Sequence, residues 1–226
     1  MSQQEKSHII KIFIADDHVF LREAFKSLLS EEETIEVVGE ADDGKEAVER
    51  VAATMPDIVI MDIAMPVLNG VEATRRIKQQ KPEIKVLILS GYEGEQYIYR
   101  VVQAGAHGYL VKSVEADTLF KAIEAVQRGE YVFPQSVHAA IQKEIDTLKH
   151  PGSGNQSDSF HKLTDREREI LQLIGEGNTH QQIAELLQIS IRTVDTHRNN
   201  IIKKLDVHDT ANLVLYAIRN GITTIP

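Results

Sequence analysis

Five short apolar runs punctuate the first half of the chain: Ile9–Ala15, Ile35–Gly39, Asp57–Met61, Lys85–Leu89 and Gly108–Val111. They are β-branched and nearly continuous rather than alternating, which is the pattern of strands covered on both faces. Between them, apolar positions recur at helical spacing. One stripe is Phe20, Leu21, Ala24 and Leu28, another is Ala47, Val48, Val51 and Ala52, and a third is Leu119, Ile123 and Val126. Five β–α repeats predict an α/β unit, a doubly wound parallel sheet with helices on both sides.

After Gly129 the alternation stops. Residues 136–148 place Val137, Ala140, Ile141, Ile145 and Leu148 at helical spacing, which predicts a linker helix. Residues 150–160 are rich in Pro, Gly, Ser and Asn, the composition of a flexible tether. The remainder carries four helix starts and no strand-like run. Thr164 with Glu167 reads as a capping box, with Leu163 placed for a hydrophobic staple. Gly177 closes that helix, and Asn178 or Thr179 caps the next. A tight turn at Gln188-Ile189 precedes Ser190, the cap of a third helix running to about Leu205. Asp209 or Thr210 opens a fourth, which Gly221 ends. Two short helices joined by such a turn have helix-turn-helix proportions. The expected division is 8–131, a linker over 132–160, and an all-α domain over 161–226.

Composition narrows the function. Cysteine is absent, which excludes disulfide scaffolds, thiolate metal sites and cysteine nucleophiles together. No apolar run approaches the ~20 residues of a membrane span, and the opening MSQQEKSHII lacks a secretory pattern, so the expected location is the cytoplasm. The net charge of −9 argues against a nucleic-acid binder. It is unevenly spread, however. Residues 1–134 hold 15 Lys+Arg against 23 Asp+Glu, whereas residues 161–226 hold 8 against 8. The acidity belongs to the first unit.

In an open parallel sheet, ligands bind beyond the C-terminal strand ends. The first strand ends in Asp16-Asp17 and the third in Asp62. If these strands are neighbours, three carboxylates converge, and such a cluster needs a cation. Magnesium prefers carboxylate oxygen and bridges readily to phosphate. Ser90 and Lys112, at the ends of strands four and five, add a hydroxyl and an ammonium. Asp62, the central acid, is the best nucleophile for a phosphoryl group. No glycine-rich phosphate loop is present, which argues against a bound nucleotide. Taken singly, each residue has an ordinary structural role as a cap, a turn acid or a surface lysine. Their joint placement at four strand ends carries the argument.

Residues 8–131 resemble a response-regulator receiver domain, through IFIADDH, VIMDIAMPVLNG, LSGYEG and GYLVK in that order. The resemblance implies the flavodoxin-like strand order 2-1-3-4-5. It implies that Asp62 accepts phosphate from a sensor histidine kinase. Asp17, Asp62 and the Ala64 carbonyl would ligate Mg2+, with Asp16 acting mostly through water. Lys112 would pair with the phosphoryl oxygens, Ser90 would move to hydrogen-bond them, and Tyr109 would be the switch aromatic. Gly91 would leave phosphodonors open access. Many receivers carry proline after the lysine, whereas Ser113 stands here, so the geometry of that loop is open.

On the third helix of the tail, Val194, Ile201 and Leu205 share one side, flanked by His197. Arg192, Thr196, Asn199 and Lys203 share the other, beside Asn200. From Ser190 to Leu205, four basic residues stand against Asp195 alone. A face of Arg, Thr, Asn and Lys suits base edges in a major groove. The segment LTDREREILQLIGEGNTHQQIAELLQISIRTVDTHRNNIIKKL closely resembles the LuxR-type helix-turn-helix. That resemblance implies base contacts from Asp195, Thr196 and Asn199, in a DNA-binding set with Arg192, Thr193, Lys203 and Lys204. Asp195 stands where relatives usually carry lysine. It could accept from cytosine N4 or merely pair with Arg198.

Together the halves resemble a two-component response regulator of the NarL/FixJ type. The resemblance implies control of transcription on double-stranded DNA, a phosphorylation-dependent homodimer, and no enzymatic turnover beyond self-catalysed phosphoryl transfer and hydrolysis. A receiver working without phosphorylation is the alternative. A haloacid-dehalogenase-like phosphatase would need a second acid at Ala64, and a ligand-sensing LuxR regulator would need a lipophilic cavity in place of the acids.

Overall fold

In a computed structural model, the described residues are 9–91, 95–134, 162–220 and 222–223. The chain divides between Leu148 and Lys149 into two compact units. The expected linker helix, tether and Gly221 stop lie outside the described residues.

The first unit is a five-stranded parallel sheet, β1 (Ile10–Ala15), β2 (Ile35–Ala41), β3 (Ile58–Met61), β4 (Lys85–Ser90) and β5 (Gly108–Val111), in the order β2-β1-β3-β4-β5. Alternate residues of each strand serve opposite cores. Phe13, Ala15, Val59, Met61, Val86 and Ile88 face α2 (Gly44–Thr54), α3 (Gly70–Gln80) and α4 (Glu95–Gln103) through Ala47, Val51, Ala73, Ile77, Ile98 and Val101. Ile12, Ile14, Ile58, Ile60, Leu87 and Leu89 face α1 (Val19–Leu29) and α5 (Ala116–Gln127) through Leu29, Leu119, Ile123 and Val126. Continuous strand hydrophobicity therefore reflects two half-cores, each Val, Ile, Leu, Met or Phe side chain contributing about 1.5–3 kcal/mol on burial.

The phase expected for α1 needs correction. Phe20 is 84% exposed and Ala24 is exposed, while Leu29 is buried and Phe25 and Leu28 pack against the core. The stripe that faces the sheet lies about one residue further round the helix.

Past α5 the chain returns to the sheet. Val132 forms a parallel bridge with Gly108: its amide donates to the His107 carbonyl at 2.9 Å, and its carbonyl accepts from the Tyr109 amide at 2.8 Å. A Cβ on Gly108 would stand 2.9 Å from the Val132 carbonyl and 2.8 Å from Leu87, so glycine permits this approach.

The second unit packs α6 (Asp165–Gly175), α7 (His180–Leu186), α8 (Ile191–Leu205) and α9 (Thr210–Arg219) around Leu163, Ile170, Leu171, Ile183, Val194, Ile201 and Leu213. Every helix start is locally specified. Thr164–Glu167 and Thr179–Gln182 form capping boxes, and Ser190 and Asp209 accept from the amides of Thr193 and Asn212. Leu163 is buried in the core; the residue at the staple position is Arg168.

Candidate functional site

Parallel register assembles the acidic edge. Ala15 lies opposite Met61, so the next residues, Asp16 and Asp62, emerge side by side, and the Asp62 amide donates to the Ala15 carbonyl at 2.8 Å. Ser90 pairs with Val111, and the Lys112 amide donates to the Ser90 carbonyl at 2.8 Å. Adjacent strands thus bring together acids 46 residues apart in the chain.

Lys112 Nζ stands 2.7 Å from Asp16 Oδ2 and donates to Asp62 Oδ2 at 2.8 Å. Both carboxylates are buried. Burial pushes the Asp62 carboxyl up; the Lys112 hydrogen bond and charge offset part of that, while the nearby Asp16 charge adds to it. Burial alone would lower the Lys112 ammonium, but its bonds to Asp16 and Asp62 prevail and raise it. One cation holds two like charges in place.

The loop after β3 is equally constrained. The Ile63 amide donates to Asp62 Oδ1 at 2.7 Å, and the Gly70 amide to the Ile63 carbonyl at 2.9 Å. A Cβ on Gly70 would collide with the Asp62 carbonyl, so only glycine lets α3 begin against the acid's own backbone. Asn69 caps α3 by accepting from the Glu72 amide. Ala64 lies within this loop, two residues past Asp62. Ser90 and Tyr109 are both buried, the tyrosine 2% exposed. Among the described residues no peptide bond is cis, so Lys112–Ser113 is trans.

The donor set suits a hard cation. Ligand atoms of Asp16, Asp17, His18 and Asp62 lie within 4.8 Å of one another. Asp17 Oδ1 is buried without a hydrogen bond, although His18 Nδ1 stands 2.8 Å away. Lys112 serves only two of the three carboxylates, which leaves excess negative charge that Mg2+ would balance.

The candidate reading face lies on α8. Arg192, Thr196, Asn199, Asn200 and Lys203 are exposed, and Val194, Ile201 and Leu205 are buried. Thr193 Oγ1 lies 2.8 Å from Ser190 Oγ at the helix cap, and the Thr196 hydroxyl donates to the Arg192 carbonyl at 2.8 Å. Lys204 points elsewhere than Lys203: its Nζ donates to the buried Glu167 at 2.7 Å. Asp195 does not pair with Arg198. Its Oδ1 stands 2.7 Å from His180 Nδ1 on α7, while Arg198 donates to Thr210 Oγ1 at 3.0 and 2.7 Å.

Sequence reasoning passed over three side chains here. His18 directly follows the acid pair and donates its amide to Asp16 Oδ1 at 2.9 Å, and adjacency could have flagged it. Arg22, one turn into α1, donates to the Asp16 carbonyl at 2.5 Å. His180 stands fifteen residues before Asp195, and only the packing of α7 on α8 brings them together.

Residues 12–124 match the family described as response regulator receiver domain, and residues 161–217 match the LuxR family of bacterial regulatory proteins. The chain is 40% identical over 232 residues to the transcriptional regulatory protein DegU of Brevibacillus brevis, covering 98% of each. It is 37% identical to the response regulator protein VraR of Staphylococcus aureus, covering 94% of this chain and 98% of that one. A LuxR-family two-component response regulator from Aurantimonas sp. superposes with a TM-score of 0.55 at 34% identity, covering 60% of this chain and 97% of the other.

Proposed function

Because the chain belongs to the response-regulator family, a receiver domain followed by a LuxR-type DNA-binding domain that regulates transcription, we propose that Asp62 is its phosphoacceptor and a sensor histidine kinase its donor. The kinase's phosphohistidine N–P bond breaks as a P–O bond forms to an Asp62 carboxylate oxygen, and water later cleaves that acyl phosphate. Asp17, Asp62 and the Ala64 carbonyl would hold Mg2+, with Asp16 acting mostly through water, and the ion would supply charge neutralisation for the phosphoryl oxygens. Lys112 exchanges its bond to Asp62 for one to the phosphoryl group. Ser90 and Tyr109 rearrange around the added charge of about −1.5 to −2.

Phosphorylation favours a homodimer that sets two α8 helices on adjacent half-sites of double-stranded DNA in the cytoplasm. Arg192, Thr193, Asp195, Thr196, Asn199 and Lys203 form the contact set, whose exposed members face solvent along one side of α8, while Lys204, bonded to Glu167, supports the helix rather than the contact. Among the described residues no helix is long and apolar enough to cross a membrane.

The observation that supports the phosphoacceptor reading is the convergence of Asp16, Asp17, Asp62 and Lys112 on one sheet edge. The test is labelling with acetyl phosphate in magnesium, followed by mass spectrometry. The wild type takes one phosphoryl group at Asp62 and Asp62→Asn takes none; stoichiometric labelling of that variant would end the proposal.

A further inference from the structure

The geometry points to Asp195 as the reader of a cytosine in the major groove, with His180 as the residue that positions its carboxylate. This deepens the reading of α8 as a groove-entering helix and rests on it. Asp195 lies in the second turn of α8, and the N-terminal part of such a helix approaches base edges. On the helical wheel it stands about 40° from Asn199 and about 60° from Arg192, at the margin of the exposed face that borders α7. Its side chain is 51% exposed.

Three facts separate Asp195 from an ordinary solvated acid. Its partner comes from another helix: His180 Nδ1 stands 2.7 Å away, and the Thr179–Gln182 capping box fixes the turn that carries His180. The local alternative, Arg198, is committed to Thr210. Arg198 Nη1 also donates to Asn199 Oδ1 at 3.3 Å, so at Asn199, one turn from Asp195, the amide oxygen is engaged and the NH2 is the group left to meet a base. The face therefore offers a fixed acceptor beside a fixed donor.

The chemistry selects the base. A carboxylate only accepts. Guanine shows two acceptors in the major groove, adenine an acceptor beside its donor, and thymine an acceptor and a methyl group. Cytosine alone presents a donor, its N4 amine, with no acceptor of its own. On guanine and thymine the Asp195 charge meets only acceptors or a methyl group, and on adenine the N6 donor comes with the repelling N7 acceptor beside it. On all of them the charge is also repelled by backbone phosphate. It therefore lowers affinity broadly and restores it on cytosine, which is discrimination by exclusion.

The test uses the full chain treated with acetyl phosphate and magnesium to select duplexes from a randomised pool, followed by affinity measurements on the selected site. The wild type is expected to enrich cytosine at one fixed position per half-site and to lose about tenfold or more in affinity when that pair is exchanged. Asp195→Ala abolishes the preference at that pair and keeps the others. His180→Ala weakens discrimination there several-fold, whereas His180→Asn, whose amide nitrogen can occupy the Nδ1 position, retains it. A general loss of fold would instead lower affinity for all sites alike. Unaltered preference in Asp195→Ala, or enriched sites without cytosine, overturns the proposal, and unaltered discrimination in His180→Ala overturns the positioning role. If the wild type enriches nothing, the reading of α8 as a DNA reader fails, and this assignment with it.

Discussion

The Lys204 ammonium stands 2.7 Å from a Glu167 carboxylate that is 2% exposed, whereas the adjacent Lys203 is turned to solvent. Burial acts to raise the Glu167 carboxyl, but Lys204 and the Thr164 amide and hydroxyl hold it below the usual carboxylate value. Neighbouring lysines thus have different work. Lys204→Ala is expected to cost about 1–2 kcal/mol by denaturant unfolding, because a buried charge loses its donor. Lys203→Ala should leave stability within about 0.5 kcal/mol and flatten the salt dependence of DNA binding by a slope of about 1. A salt slope unaltered in Lys203→Ala would count against its phosphate contact.

Asp62→Asn should stabilise the receiver near neutral pH. The folded carboxyl titrates above its unfolded value, chiefly through burial, so its charged form opposes folding at pH 7. Acidification through that raised pKa neutralises the wild-type group, and the advantage of the asparagine disappears. Unfolding curves for both proteins between pH 7 and 4 measure this directly. Magnesium should raise the melting temperature of the wild type more than that of Asp62→Asn, since only the former keeps all three carboxylates.

His107 makes a separate pH dependence. Burial, reinforced by Lys78 and Lys85, lowers its pKa to about 4, and its Nδ1 accepts from the Val86 amide at 3.3 Å. The ring also stacks on Tyr131 with centroids 5.6 Å apart. It is neutral when folded, while the unfolded chain takes up a proton near pH 6.5. Its contribution is therefore intact above about pH 6.5 and declines as the pH falls toward 4. His107→Gln should flatten the stability profile across that interval.

Val67 sits at φ 66°, where the Leu68 amide turns back to the Pro66 carbonyl at 2.6 Å. A positive φ closed by a bond between residues two apart is the rare, strained γ-turn, and asparagine tolerates a positive φ better than a β-branched side chain. Val67→Asn should raise stability by about 1 kcal/mol. An unaltered or lower unfolding midpoint would show that this backbone carries no strain.

How much was legible in advance depended on the interaction involved. The acidic edge could be read because a parallel sheet sends every strand end to one side, so Asp16, Asp62, Ser90 and Lys112 needed only the correct neighbours. Helix starts could be read because Thr164, Ser190 and Asp209 act on amides three residues away. The face of α1 could not. The stripe Phe20-Leu21-Ala24-Leu28 and the packed set Phe25-Leu28-Leu29 share only Leu28, and contact with the sheet alone selects the second. The partner of Asp195 was hidden for the same reason. Arg198 was the nearest candidate along the helix, yet the packing of α7 supplied His180.

The Val132 bridge has a consequence for solubility. A sheet ends in rims of unpaired peptide groups, and such rims recruit foreign strands. Here the protein's own backbone occupies part of the rim along β5, through the His107 carbonyl and the Tyr109 amide. A substitution that detaches Val132 is therefore expected to reveal itself as precipitation of otherwise folded protein, because it would open a template for intermolecular stacking.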